Sequence, residues 1–411
     1  MSREGILAGL DIGSSKVRML VAELDSGLSP KVIGLGETPA EGIRRGLLVD
    51  LEKTIGSVEA AVIEAEKSAG VEVNSVLVGI GGNHLQSIDS YGMTPISGPG
   101  GRVTTEDIEK VLEAAEAISL PMDREILEVI PQDYTIDHHG GIKEPLGLVG
   151  MRLEVNVHVV TGKVNSRQNL VNALDSLGLE VEDFILGPLA SGLAVLTPEE
   201  QQLGAVLLDI GGETTDIAVY YDEVIRHLAV IDLGGKDITN DLTSGLRISA
   251  KEAESLKIQK GGVLGGIMDP EETVRLPSVN GRKPWKVAVG VGTSIVEATV
   301  ERIFDLVRRE LRSCEYVDRL PMGVVLTGGS SRLPGIRELA EQILRMPARH
   351  GFPRVLDGEG VELSSPELAT CAGLVLYGFS GRRPEGRSGL DRGGFFGRAW
   401  GGLKRVFNRH F

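Results

Sequence analysis

The chain has 411 residues, 41% hydrophobic and 25% charged, a composition that suits two or three globular domains rather than a disordered chain. Its net charge of −15 is uneven: residues 380–411 hold eight Lys/Arg and two Asp/Glu, a local +6, so the other 379 residues carry −21. An acidic body argues against nucleic acid, because neutralising phosphates needs clustered Lys and Arg; a basic tail on it implies a separate partner for the tail. No apolar run reaches the roughly 20 residues that span a bilayer. The N-terminus enters a strand-like segment directly, so no signal peptide is expected. Two distant cysteines, Cys314 and Cys371, suit a reduced, cytoplasmic setting.

In chain order, the first element is an apolar run from Ile6 to Leu10, then Asp11-Ile12-Gly13-Ser14-Ser15-Lys16, then a second run from Val17 to Ala22. This reads as two strands joined by a tight hairpin that opens on an acid. Between about Asn83 and Gly162 lies a compact α+β unit. It has a helical pattern from Thr105 to Ala115, with Thr104 or Thr105 as N-cap, and strand-like runs at Glu125–Ile130 and Leu153–Val160. A helix is expected from Asn165 to Leu177.

At a spacing of 198 residues the hairpin pattern recurs: Ala205 to Leu208, Asp209-Ile210-Gly211-Gly212-Glu213-Thr214-Thr215-Asp216, then Ile217 to Tyr220. Glycine lets successive amide N–H groups approach a polyphosphate, hydroxyls of Ser14, Ser15, Thr214 and Thr215 add donors, and Asp11 and Asp209 suit Mg²⁺ held through water. Two such hairpins facing each other would clamp one nucleotide. Glu213 is out of keeping, since it puts a negative charge in a phosphate-binding turn. Further on come a helical stretch at Ser249–Lys257 and a helix from Ile295 to Arg312. A third glycine-rich turn follows, Val324 to Thr327 then Gly328-Gly329-Ser330-Ser331, entering a helix after Pro334. No Gly-x-x-x-x-Gly-Lys-Ser/Thr loop is present, which excludes a P-loop NTPase, and no Gly-x-Gly-x-x-Gly follows the first strand. His138 and His139 lack metal-ligand spacing.

Residues 380–394 are rich in Gly, Arg and Ser and read as a flexible linker. In the segment 395–411, helical spacing gathers Phe396, Ala399, Trp400, Leu403, Val406, Phe407 and Phe411 on one face, with Phe395 leading in. Arg398, Arg405 and Arg409 lie opposite, with Lys404 on the flank and no acid. Large apolar groups opposite Arg and Lys mark a helix lying in an anionic membrane interface.

The three glycine-rich turns, with Gly187–Ala194 and Ser364–Gly373 placed as connecting helices, resemble the actin-like ATPase superfamily in register over nearly the whole chain. The resemblance implies an α/β, actin-like two-lobed fold with duplicated sheet and helix cores, an α+β insertion subdomain in the first lobe and a C-terminal amphipathic helix. It implies ATP and Mg²⁺ between the lobes. The site would be Asp11, Gly13, Ser14, Ser15 and Lys16; Asp209 and Gly211 to Thr215; Gly328, Gly329 and Ser330; and Glu254 and Lys257 beside base and ribose. Asp216 is expected to orient water, and Gly187 stands where fast ATPases of this fold carry Gln or Glu, so turnover is expected to be slow.

The insertion and the tail together resemble the FtsA family of bacterial cell-division proteins. That resemblance divides the chain into first-lobe core at 1–82, 163–195 and 357–379, the insertion at 83–162, second-lobe core at 196–236 and 291–356, and a second-lobe subdomain at 237–290. Linker and anchor complete it at 380–394 and 395–411. It also implies filaments on the cytoplasmic face of the inner membrane at the division site, contact with later division proteins, and a surface for the C-terminal peptide of FtsZ. Arg302, Arg308 and Arg309 are candidates for that surface. The alternatives are a small-molecule kinase or another actin-fold adaptor; no motif marks a sugar cleft or a kinase base.

Overall fold

The computed structural model describes residues 5–24, 30–264, 272–276, 285–354, 357–358 and 364–381. The expected amphipathic anchor at 395–411 and the linker from residue 382 onward lie outside the described residues.

The first lobe opens with β1 (Ile6–Ile12) and β2 (Lys16–Glu23), antiparallel, with Asp11 opposite Arg18. β3 (Lys31–Pro39) extends this sheet, and a small hairpin, β4 (Ile43–Arg44) and β5 (Leu47–Leu48), follows. α1 (Leu51–Ala69) starts at Asp50, whose side chain accepts from the Lys53 amide, and stops at Gly70 in the left-handed region. Its buried stripe of Val58, Ala61, Val62 and Ala65 has helical spacing and packs on β2 and β3. β6 (Ser75–Ile80) runs parallel to β1.

The insertion then adds β7 (Gln86–Pro95), α2 (Thr105–Glu116), β8 (Arg124–Ile136), β9 (His139–Ile142) and β10 (Arg152–Lys163), with the sheet ordered β7-β10-β8-β9. Thr104 and Asp107 form a reciprocal cap at the start of α2. Val111, Leu112 and Ala115 of that helix close a core of its own with Val129, Tyr134, Leu153, Val155 and Val157. The chain returns through α3 (Val164–Asp175) and β11 (Glu180–Leu186), which joins the first sheet beside β6.

After α4 (Gly187–Val195) and the short α5 (Pro198–Leu203), the second lobe repeats the plan: β12 (Ala205–Ile210), β13 (Thr215–Tyr221) and β14 (Val224–Ile231). Here Asp209 lies opposite Asp216. α6 (Gly235–Leu246), α7 (Ala250–Lys260), β15 (Thr273–Leu276) and β16 (Trp285–Ala288) precede α8 (Val289–Ser313). α8 begins six residues before the expected Ile295. Gly290 and Gly292 weaken the helical signal there, but Val289, Gly292 and Thr293 are buried and packing overrides propensity. β17 (Val324–Thr327), α9 (Ile336–Leu344), β18 (Ala348–His350), β19 (Asp357–Gly358) and α10 (Ala369–Gly381) complete the described chain.

The lobes are pinned where α4 and α10 cross. A Cβ added to Gly373 would fall 1.7 Å from the Ala190 carbonyl oxygen, so only glycine permits this approach. One apolar core runs through the crossing, joining Leu189, Ala190 and Val195 to Leu207, Tyr220, Ala372 and Val375. Gly373→Ala is therefore expected to cost about 1–3 kcal/mol of stability through overpacking, read as a lower urea midpoint. An unchanged midpoint would show that the two helices separate without penalty.

Candidate functional site

The two hairpin turns face each other across a cavity of about 540 Å³. A Cβ on Gly212 would come 2.8 Å from that of Ser15, so the two turns touch at one end of the cleft. Gly328 closes the floor: it holds φ +81°, and a Cβ there would meet Asp209 Oδ1 at 2.3 Å. The cavity is lined by Asp11, Gly13, Ser14, Ser15 and Lys16 from the first lobe, and by Asp209, Gly211, Gly212, Thr214 and Asp216 from the second hairpin. Glu254, Lys257, Gly328, Gly329 and Ser330 line it as well.

Two of the expected ligands do not line it. Thr215 alternates with Asp216 at the start of β13 and so faces the opposite side; it is fully buried and its hydroxyl donates to the Leu233 carbonyl at 2.8 Å. Glu213 turns out of the cleft, accepting from the Arg45 amide at 2.5 Å and from Lys236 Nζ at 3.0 Å. The anomalous charge in the turn is thus directed at a cation, Lys236.

Three carboxylates meet at the cavity floor. Burial pushes Asp11 up to about 6, with Arg18 pulling it down and Asp209 pushing it further up. Asp209 is raised by burial, against the bond from Ser191 Oγ at 2.7 Å and the charge of Arg18. Asp216 is driven to about 8 by burial, by Asp209 and by Asp11, and its Oδ1 is buried without a hydrogen-bond partner. An orphaned carboxylate oxygen beside two further acids is the environment of a cation site. Among the described residues no three His, Cys, Asp or Glu side chains are placed to hold a metal directly. Asp11, Asp209 and Asp216 supply oxygen donors of the kind a divalent ion takes.

Each cation lining the cavity is paired with a carboxylate, but Lys16, Arg18 and Arg332 share only two, Glu37 and Glu367. Arg18 bonds Glu37 through Nε at 2.7 Å and also pairs with Glu367. Lys16 pairs with Glu37 and lies 3.6 Å from Glu367. Arg332 reaches Glu367 at 3.0 Å, and Lys257 meets Glu254 at 2.8 Å. Arg18, Lys236, Arg332, Glu367 and Thr370 line the cleft without having been expected there. For Arg18 a signal existed: the offset of 198 that maps Asp11 onto Asp209 maps Arg18 onto Asp216, and both pairs sit in the same hairpin register.

The expected partner-binding arginines lie on α8. Arg302 is tied to Asp241 at 3.1 Å and Arg308 to Asp305 at 2.7 Å, while Arg309 is exposed.

A family model described as cell division protein FtsA matches residues 206–373, and one described as the SHS2 domain inserted in FtsA matches residues 82–161. The cell division protein FtsA of Pseudomonas aeruginosa is 42% identical over 373 residues, covering 91% of this chain and 89% of that one. Those of Bacillus subtilis and of Escherichia coli K12 are each 34% identical, over 94% and 91% of this chain and 86% and 90% of their own. Among solved structures, the PilM–PilN type IV pilus biogenesis complex superposes with TM-score 0.67 at 19% identity, covering 90% of this chain and 98% of that one. MreB5 of Spiroplasma citri bound to AMPPNP gives 0.56 at 15% identity, covering 92% and 96%. These two show the actin-like fold.

The raised acids carry a pH signature. Folded Asp216 holds its proton up to about pH 8, against 3.8 for the free group, so the folded state binds more protons in between and stability falls as pH rises through that window. Asp216→Asn should therefore stabilise the nucleotide- and metal-free protein at pH 8 by about 2–5 kcal/mol, with little effect at pH 4. Denaturation across pH 4–8 reads this out; a variant whose pH slope matches the wild type would mean that Asp216 is not held in its protonated form.

Proposed function

The chain belongs to the family of cell division protein FtsA, and from that premise we propose that it is an ATP-binding, membrane-bound filament protein that tethers FtsZ at the division site. The carrying observation is the pair of facing hairpins, with Asp11 and Asp209 on one cavity floor, in a chain whose residues 82–161 match the SHS2 insertion. The Spiroplasma citri MreB5 structures of this fold are of ADP and AMPPNP complexes, and the residues of this cavity suit the same class of ligand.

Charge decides the form in which a nucleotide enters. The lining cations are already paired with carboxylates and Asp11 and Asp209 add further acid, so a bare polyphosphate gains little from the cleft and Mg²⁺ would arrive with it. Asp11 and Asp209 would hold the ion through water, and bound there it supplies charge neutralisation for the phosphates. Ser14, Ser15 and Thr214 supply hydroxyl donors, and Glu254 and Lys257 flank base and ribose. Asp216 would orient water. Gly187 at the head of α4 offers no side chain for that task, which supports slow turnover.

The remaining roles follow from the tail and the family. The basic, aromatic segment 395–411 would lie in the anionic inner face of the cell membrane, the chain would self-assemble there, and α8 with Arg302, Arg308 and Arg309 would meet the acidic C-terminal peptide of FtsZ. Later division proteins would join through the insertion. No helix among the described residues is long and apolar enough to cross a membrane.

Two measurements test this reading. Asp209→Ala should lower Mg·ATP affinity by at least about tenfold, the worth of one charge-assisted contact, and calorimetry giving an unchanged constant would remove Asp209 from the site. For the tether, FtsZ with anionic vesicles and ATP should pellet with the full chain and stay in the supernatant with a chain ending at Gly381. If the full chain pellets alone, the partner is wrong; if neither chain pellets, the anchor is wrong.

A further inference from the structure

Lys236 is the second residue of α6, and its ammonium lines the cleft while bridging the lobes. It donates to the Ser14 carbonyl of the first hairpin at 2.7 Å and to Glu213 Oε1 of the second at 3.0 Å. The other Glu213 oxygen accepts from the Arg45 amide at 2.5 Å, so this one carboxylate holds a second-lobe cation and a first-lobe backbone together. Asp232 adds a parallel tie, accepting from Arg45 Nη1 at 3.4 Å and Asn83 Nδ2 at 3.2 Å. The leading amides of α6 are not free for an anion: Gly235 N–H donates to Gly211 at 2.9 Å and Lys236 N–H to Gly212 at 2.6 Å. What this helix end offers a ligand is therefore the ammonium, with two of its three donors engaged.

We propose that Lys236 grips the polyphosphate of the bound nucleotide from the second lobe, and that Glu213 restrains that grip by competing for the same ammonium. The inference rests on the nucleotide reading of the cleft and assigns the control of its affinity. Lys236 stands on the seam between the two glycine turns, where a polyphosphate clamped by both must pass. A phosphate oxygen and the Glu213 carboxylate want the same cation, and they repel each other. Glu213 thereby loosens the site while its second oxygen keeps the lobes tied. This accounts for an acid in a turn whose other residues favour anions.

The test is calorimetry of the full chain with Mg·ATP, Mg·ADP and adenosine. Lys236→Met should weaken both phosphorylated ligands about tenfold, the value of one charge-assisted hydrogen bond, and leave adenosine unchanged; Lys236→Arg should restore most of the loss. Glu213→Gln keeps an acceptor for the Arg45 amide, removes the charge, and should tighten Mg·ATP about three- to tenfold. In the Lys236→Met background that gain should vanish. Equal gains in both backgrounds would overturn the competition, since Glu213 would then act only by distant charge. A loss of adenosine affinity equal to that for Mg·ATP would overturn the phosphate contact and make Lys236 a structural strut. Should Lys236→Met melt early, Lys236→Gln carries the same comparison. Wild-type chain that binds no Mg·ATP would overturn the nucleotide reading itself, whereas wild-type binding with unmoved variants would overturn this inference alone.

Discussion

The structure is organised around a cost: three carboxylates, Asp11, Asp209 and Asp216, share one cavity floor, and Arg18 is the cation that moderates Asp11 and Asp209. Like charges in low dielectric cannot all stay ionised, so the nucleotide-free protein keeps protons there that water would remove. Nothing in the fold alone calls for such an arrangement, and apolar residues at these positions would be cheaper. The strain is reasonable only where a ligand brings positive charge into the cleft.

The acids also tie the cleft to the rest of the molecule. Asp209 accepts from Ser191 on α4, and that hydroxyl lies 3.0 Å from Thr370 Oγ1 on α10. The two helices that cross at Gly373 therefore both touch the hydrogen-bond shell of one cleft carboxylate. Arg18, opposite Asp11 in the first hairpin, reaches Glu367 in the turn that leads into α10. One or two hydrogen bonds thus connect the cavity floor to the crossing of the lobes.

Much of this could be read from residue order. The hairpins carry their own evidence: apolar runs of strand length, an acid, a glycine turn and the same pattern 198 residues later. The SHS2-matching segment showed itself by capped helix and alternating strands, and α2 starts at the Thr104 cap as expected. What escaped was of two kinds. The motif points Thr215 and Glu213 at the site, whereas the two-residue alternation of β13 turns Thr215 away and a nearby Lys236 draws Glu213 out. Lys236, Glu367 and Thr370 belong to the cleft through tertiary placement, because no local pattern directs their side chains into it. Arg18 stands between these cases: it was visible in the duplication, but only once the hairpins were compared across both strands and not just at their turns.

The insertion is held from two sides, and this limits how the molecule can move. Its strands grow out of the first lobe between β6 and α3, yet Gln132 donates to the Ile225 carbonyl at 2.9 Å and Ser87 to that of Leu228 at 3.0 Å, both on β14 of the second lobe. Arg226 returns a bond to the Gln132 carbonyl at 3.1 Å, and Lys143 pairs with Asp222. A rotation of one lobe against the other must either break these bonds or drag the insertion with it. Each is a single hydrogen bond or part-exposed ion pair, worth about 0.5–1.5 kcal/mol, so the set resists thermal opening yet yields to a ligand that binds the two lobe arrangements unequally. The cross-cleft ties through Glu213, Lys236 and Asp232 lie on the other side of the same joint and have the same scale. The contacts of the insertion on β14 and the cross-cleft ties through Glu213, Lys236 and Asp232 thus both join the two lobes, so a rotation of one lobe against the other has to break or carry both sets.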